Sequence, residues 1–467
     1  MTERIKIKEI DSSNTGSVEQ YTPSKRIYVR AIYGFYQQLR RYTGWGLIVL
    51  FVALPLMRWN GQQAILFDIA DQQYHIFNMT LFPQDLTLLA WVFIIAAFAL
   101  FFVTTYLGRV WCGYTCPQTV WTFIFIWFEE RFEGSANKRK RLDQMPWSFN
   151  KIWRKTAKHT GWITVSLLTG LAFSSYFVPV SELYSDFFTF SAGFATTTSV
   201  LFFAVATYVN AGWMRSIVCL HMCPYARFQS AMFDKDTFIV GYDAKRGETR
   251  GPRRRKDSPE ALGLGDCVDC DLCVQVCPTG IDIRDGLQYE CINCGACVDA
   301  CDHTMDKMGY PRGLISYTTE QKLAGKKTHV LRPKIIGYGA LLLLMIAVFF
   351  INIANLSSAE MEILRDRNVL YRENNEGLIE NTYTLKILNK TIETQTYDLS
   401  FSGLENAQLI GPQQIVIKSG EVLTQPISIA VDPYEIKENR INIIITLTGA
   451  SGEIEKIEQQ TTFFLGL

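Results

Sequence analysis

Eight cysteines crowded between Asp266 and Asp302 restrict the fold of this chain more than any other feature. They form two consecutive copies of one spacing: CVDCDLCVQVCP, with Cys267, Cys270, Cys273 and Cys277, and CINCGACVDACD, with Cys291, Cys294, Cys297 and Cys301. A CxxCxxCxxxC run holds one [4Fe–4S] cluster by three thiolates and sends the fourth to a neighbouring cluster. The pair therefore predicts two clusters, one on Cys267, Cys270, Cys273 and Cys301 and the other on Cys277, Cys291, Cys294 and Cys297. Structural zinc fits poorly, because zinc sites use paired CxxC knuckles or histidines and neither run contains a histidine. Disulfides need an oxidising compartment, which the charge pattern below denies to this segment. Cys301 is followed by Asp302 where proline is common, which bears on potential or packing more than on ligation.

The remaining four cysteines form a second repeated pair, CxxxCP, at Cys112 and Cys116 and again at Cys219 and Cys223. Proline disfavours helix at the residue before it and suits the first position of a new one. Cys116 and Cys223 are therefore expected at helix N-termini, where unpaired amides and the helix dipole favour a thiolate. Each motif reads as a tight turn presenting two metal-capable sulfurs. The plainer reading of one such pair is small apolar packing near a membrane, and the second copy at an equivalent place weakens it.

Those equivalent places come from membrane organisation. The chain is 48% hydrophobic and 19% charged, and the apolar excess is concentrated in a few runs. Runs able to cross a hydrocarbon core of about 30 Å are expected at 42–59, 86–107, 161–180, 187–213 and 335–355, with Trp45, Trp59, Trp162 and Trp213 as interfacial anchors. Lysine and arginine crowd the segment before the first run (Arg26, Arg30, Arg40, Arg41) and residues 131–158, centred on Lys138-Arg139-Lys140-Arg141. The connections 60–85 and 181–186 contain neither. By the positive-inside rule the N-terminus and both cysteine-bearing loops are cytoplasmic, and residues after the fifth span lie outside.

Thr43-Gly44-Trp45 and Thr160-Gly161-Trp162 each open a hairpin that ends in CxxxCP. The first four spans thus look like a parallel duplication, whose pseudo-twofold axis along the membrane normal would let all four thiols converge. The apolar stretch 120–128 is too short to cross and is expected at the interface. Residues 1–22 are polar and show no signal-peptide core. The tail from 357 alternates apolar and polar residues at 382–388, 414–418, 427–431 and 441–447, between turn residues, which predicts a small all-β sandwich. The basic run Arg250-Gly-Pro-Arg253-Arg254-Arg255-Lys256 suits anionic lipid headgroups or topology better than nucleic acid, given its place between a span and the cluster segment.

This order of parts, with the stretch from Gly241 to Gly251 and the insert segment Gly286-Leu-Gln-Tyr-Glu-Cys291, resembles the cytochrome c oxidase accessory proteins known as CcoG, FixG or RdxA. The resemblance implies a bacterial inner-membrane polyferredoxin with its N-terminus and cluster domain in the cytoplasm and its last domain in the periplasm. The fold class expected is membrane α-helical, with five transmembrane helices and duplicated hairpins. Into it are built a two-cluster ferredoxin-like α+β domain and a C-terminal immunoglobulin-like sandwich. Its domains are a cytoplasmic segment 1–41, a four-helix membrane domain 42–225, a cytoplasmic segment 226–334 with the ferredoxin-like part near 258–310, the fifth helix 335–355, and the sandwich 357–467. The family serves maturation of the cbb-type haem–copper oxidase, so the resemblance implies reduction of Cu(II) to Cu(I), with oxidase subunits or copper chaperones as partners.

The residues are chemically suited to that expectation. Iron–sulfur clusters pass single electrons, and thiolates and thioethers favour Cu(I). Copper is expected near Cys112, Cys116, Cys219 and Cys223, with His221 and Met222 as candidate further ligands. His221 reads equally as a hydrogen-bonded interfacial residue. Two other readings stay open: a quinol dehydrogenase or electron-transfer subunit, and a non-catalytic scaffold that binds oxidase subunits through the external sandwich. No nucleotide-binding glycine loop or flavin motif identifies the electron donor, which points to a separate protein or a quinol. Whether two chains pair is not fixed by the sequence.

Overall fold

A computed structural model describes residues 27–465, apart from 60, 71, 78, 356, 367–368, 375, 392, 436–438 and 450–455. Arg26 and the polar stretch 1–22 lie outside the described residues. The chain divides into two compact units, one gathering residues through Gln38, 126–158 and 240–317, the other 39–125, 159–239 and 318–467.

The first unit is built around the eight-cysteine segment. Strands Ile239–Tyr242 and Ile315–Thr318 pair, and the helix Ala296–Met308 buries Val298 and Met305 against Val240, Ile283, Leu314 and Ile315. The sequence repeat is also a backbone repeat. Asp269 and Asp271 in the first run have φ of 52° and 53°, and the equivalent Asn293 and Gly295 in the second have 50° and 71°. Asp, Asn and Gly are the residues that tolerate this left-handed geometry, so each run curls in the same way around its second cysteine. Gly295 is doubly required, because a Cβ there would come 2.7 Å from the Tyr36 ring. Asp299 accepts hydrogen bonds from the amides of Tyr36 (3.2 Å) and Gln37 (2.8 Å), which satisfies orphan donors in the first turn of the helix Phe35–Leu56. Residues 126–158 contribute a buried charge network: Arg139 meets Glu129 at 2.5 Å, and Glu133 lies between Lys155 (3.0 Å) and Lys158 (3.1 Å).

The second unit carries the apolar helices. Among the described residues four are long and apolar enough to cross a membrane: Phe35–Leu56, whose body from Leu39 belongs here, Leu86–Leu107, Phe194–Met214 and Pro333–Ala354. The chain is thus a membrane protein. The span expected at 161–180 is different. Its helix, Phe149–Ser174, begins with the basic residues Lys151, Arg154, Lys155 and Lys158, and from Gly161 to its end it is only about 21 Å long at 1.5 Å per residue. The expected span 187–213 starts later, at Phe194. Val180–Phe188 is a separate short helix, and Phe190 at φ 59° turns the chain between the two. Helix Phe149–Ser174 still packs closely, since a Cβ on Gly170 would sit 2.4 Å from the Val200 carbonyl oxygen. The arginine- and lysine-free connection after the first helix forms small antiparallel sheets, among them Ile65–Asp68, Gln73–Ile76 and Met79–Leu81.

The tail is a two-sheet sandwich. One sheet runs in the order Gln408–Ile410, Val422–Val431, Ile379–Asn389, Ala359–Arg365, and the other Gln414–Ile417, Gln395–Ser402, Arg440–Gly449, Ile457–Phe464. Alternate residues face inward, so Tyr383, Leu385 and Ile387 from one sheet join Tyr397, Leu399, Ile443, Ile445 and Leu447 from the other in the core. All four alternating stretches read from the sequence fall on these strands. Lys390 at the end of strand Ile379–Asn389 is buried between Asp85 (2.8 and 2.9 Å) and Glu360 (2.6 Å), tying the sandwich to the turn that precedes helix Leu86–Leu107.

Candidate metal centres

In the first unit none of the eight cysteines is in a disulfide, and by proximity and ligand spacing they fall into two sets. Cys301 lies close enough to Cys273 and Cys267 for their charges to act on it, and Cys297 is in the same relation to Cys294, Cys291 and Cys277 and, less strongly, to Cys273 of the other set. Burial is the largest influence on both, and it pushes Cys301, like Cys273, up to about 12 and Cys297 well above the usual thiol value. Cys277, Cys291, Cys294 and Cys297 also line one cavity with Cys273 of the other set and the apolar Pro278 and Ile281. Buried thiols so costly to ionise alone are suited to iron, whose charge stabilises the thiolates. The donor set and its apolar cradle therefore fit two [4Fe–4S] clusters. The sets differ in access: Cys270 is exposed, whereas Cys291 and Cys294 are buried.

Arg284 was not singled out from the sequence. Its guanidinium, with the side chain only 7% exposed, bonds Asp269 (2.6 Å), Asp271 (2.7 Å) and Asp282 (2.6 Å), spanning the loop that carries Cys270. The one signal available was an arginine midway between two acid-flanked cysteine runs.

In the second unit the two CxxxCP turns interlock. Cys112 is in the short helix Val110–Tyr114, and Cys116 directly precedes helix Pro117–Phe132. Cys223 is the N-cap of Pro224–Met232. Arg109, buried, donates to the Ala226 carbonyl at 2.5 Å. The Cys112 thiol donates to Gln229 Oε1 at 3.5 Å, and Gln118 Nε2 donates to the carbonyls of Asn210 (2.8 Å) and Arg215 (3.3 Å). The four sulfurs are near enough that Cys219 responds to the charges of Cys116, Cys112 and Cys223. His221 and Met222 are exposed on the turn between the second pair.

Two expectations change here. The amides of Thr119 and Gln118 do pull the Cys116 thiol down, as a helix N-terminus should, but burial outweighs them and the thiol is raised. Burial likewise pushes Cys112 up to about 11 and Cys219 up to about 12. Burial thus favours the protonated thiol at these three positions. The duplication is also imperfect. Three positions separate Arg109 from Cys112 and four separate Arg215 from Cys219, and Cys219 itself lies in a wide π-helical turn, Val218–Met222, that the first motif does not have.

Comparison with known proteins fits this layout. Residues 214–320 match a 4Fe–4S dicluster domain, residues 89–132 a 4Fe–4S binding domain, and residues 349–466 the Ig-like fold at the C-terminus of FixG. The nitrogen fixation protein FixG of Rhizobium meliloti is 34% identical over 427 residues, covering 83% of this chain and 81% of its own. Protein RdxA of Cereibacter sphaeroides is 36% identical over 400 residues, covering 82% and 83%. A crystal structure of a FixG-related protein from Vibrio parahaemolyticus, 38% identical, covers 24% of this chain and 100% of its own, with a TM-score of 0.23. With two long relatives, a dicluster domain and the FixG-type tail in the same order, the chain belongs to the FixG/RdxA family of iron–sulfur proteins.

Proposed function

We propose that this protein passes electrons from its two clusters to Cu(II), releasing Cu(I) for the copper site of a cbb-type haem–copper oxidase. The observation that carries the reading is the interlocking of the CxxxCP turns, which gathers Cys112, Cys116, Cys219 and Cys223 through the Arg109–Ala226, Cys112–Gln229 and Gln118–Arg215 contacts. Soft sulfur donors favour Cu(I) over Cu(II), so reduction on such a set is downhill in ligand preference. The clusters, when bound and reduced, would supply one electron each, which balances Cu(II) to Cu(I) and leaves the oxidised clusters to be re-reduced by a separate donor protein or a quinol. Among the described residues no three His, Cys, Asp or Glu side chains close around a single ion, so copper would bind two sulfurs or draw the set inward. Under this reading the N-terminus and clusters are cytoplasmic and the sandwich periplasmic in a bacterial inner membrane. Helix Phe149–Ser174 then serves as a fifth, short crossing, and the sandwich docks oxidase subunits or a copper chaperone.

The test is anaerobic: reduce the clusters of the detergent-solubilised chain, add Cu(II) with a chromogenic Cu(I) chelator, and follow cluster bleaching and Cu(I) together. Stoichiometric coupling that is lost in Cys112→Ala and Cys223→Ala, with both clusters retained, supports the proposal. Clusters that stay reduced sink it and make quinones the next acceptors to try. A second reading is favoured by the 4Fe–4S binding match over 89–132, which contains Cys112 and Cys116: the four thiols hold a third cluster. Iron per chain, at two or three clusters' worth, separates the two.

A further inference from the structure

We propose that Arg284 is a positioning residue for the cluster on Cys267, Cys270, Cys273 and Cys301, fixing its ligand loop and holding its potential above the value that the three carboxylates around it would otherwise set. The inference rests on the ligand assignment given above. Arg284 is almost buried in a short turn, Ile283–Asp285, that follows the first cysteine run. Its Nη1 meets Asp269 Oδ1 at 2.6 Å and its Nη2 meets Asp271 Oδ1 at 2.7 Å, while Nε and Nη2 hold Asp282 at 2.8 and 2.6 Å.

Asp269 and Asp271 flank Cys270, and both have left-handed φ. Pinning the two side chains fixes the peptide units on either side of that ligand. Cys270 is the exposed thiol of its set, so its loop has little packing of its own and depends on this clamp. The planar fork of arginine suits three carboxylates converging from different directions, and lysine cannot reproduce it.

The second run takes the same backbone shape by other means. There Asn293 Oδ1 accepts from the Val240 amide (3.4 Å), the Tyr317 hydroxyl donates to the Asn293 carbonyl, and the Tyr36 ring packs on Gly295. The two clusters therefore share a ligand spacing but not a support: the first has a cation built into its loop, and the second is held by Asn293, Tyr317 and Tyr36. Arg284 also stands close enough to Cys273 for its charge to act on that ligand. A fixed cation near a cluster favours the reduced form, which carries one more negative charge. Removing it leaves Asp269, Asp271 and Asp282 beside the cluster without their shared cation.

The experiment is an anaerobic redox titration, followed by electron paramagnetic resonance, of the full chain in detergent as wild type, Arg284→Gln and Arg284→Lys. A Cys270→Ser chain identifies which signal belongs to the first cluster. In Arg284→Gln the reduced-to-oxidised ratio of that cluster at fixed potential is expected to fall about tenfold, equal to about 59 mV for one electron. The second cluster should move less than about twofold on the same scale, and Arg284→Lys, keeping the charge without the fork, should fall between. Loss of only the first cluster from Arg284→Gln supports the positioning role, and Arg284→Lys then supplies the potential. Two clusters whose potentials do not move, or move together, overturn the inference while leaving the ligands in place. A wild-type chain with one cluster's iron overturns the ligand assignment and the inference with it.

Discussion

Replacing Lys390 by methionine should loosen the sandwich from the turn at Asp85. The Lys390 ammonium is buried, with its side chain 3% exposed, and holds Asp85, whose side chain is 7% exposed, by two hydrogen bonds of 2.8 and 2.9 Å. Glu360, bonded at 2.6 Å, is 37% exposed and can turn to water when the cation is gone. Asp85 cannot, and retains the Phe82 amide at 3.1 Å as a donor. Breaking one partner of a buried pair costs about 3–5 kcal/mol. The accessible Glu360 and the surviving amide bond put this case at the lower end, about 3 kcal/mol. At about 1.4 kcal/mol per decade, the open fraction should rise about a hundredfold. Limited proteolysis of the linker between the last span and the sandwich reads that fraction when closing is faster than cleavage. The double variant Asp85→Asn with Lys390→Met removes both charges and should recover most of the loss. A change under about threefold in Lys390→Met, or a double variant as loose as the single one, would refute the argument that an uncompensated Asp85 is the cost.

Gly170→Ala should lower the thermal midpoint in detergent, since its Cβ would lie 2.4 Å from a backbone oxygen of Val200 that cannot rotate away; overpacking of this kind costs about 1–3 kcal/mol. Gly46→Ala, with nothing within 4 Å of its Cβ, is the control and should be neutral or slightly stabilising, and equal midpoints for the two would remove the packing argument. Asp299→Ala removes the acceptor for the Tyr36 and Gln37 amides and should cost about 1 kcal/mol, seen as faster hydrogen exchange at those two amides. Copper binding should strengthen with pH. Burial pushes Cys112 up to about 11 and Cys219 up to about 12, so both are protonated through the neutral range and each thiol that must lose its proton adds about a tenfold gain in Cu(I) affinity per pH unit there. A chelator competition that gives a flat profile between neutral and alkaline pH would exclude these thiols as the ligands.

Spacing made the metal chemistry legible, because CxxCxxCxxxC and CxxxCP are short-range patterns whose meaning survives any tertiary arrangement. Periodicity likewise located the sandwich strands, since a half-buried strand alternates with period two whatever it pairs with. What the sequence hid was set by contacts between distant segments. Gly161 to Ser174 reads as apolar, but the helix carrying it starts in a basic stretch and is shorter over its apolar part than the run 161–180, and it packs closely at Gly170 against Val200. The thiolate expected at Cys116 followed from a local dipole argument and gave way to burial, a quantity no local pattern contains. The same holds for the two clusters. Their runs repeat residue for residue in spacing and φ, so spacing alone makes the sites equivalent. Exposure separates Cys270 from Cys294, and Arg284 with its three carboxylates stands beside one site while Tyr36 packs on the other. Cluster potential follows exposure, charge and hydrogen bonding at sulfur rather than ligand order. On the inference drawn for Arg284, any difference in potential between the two sites comes from residues other than the ligands themselves.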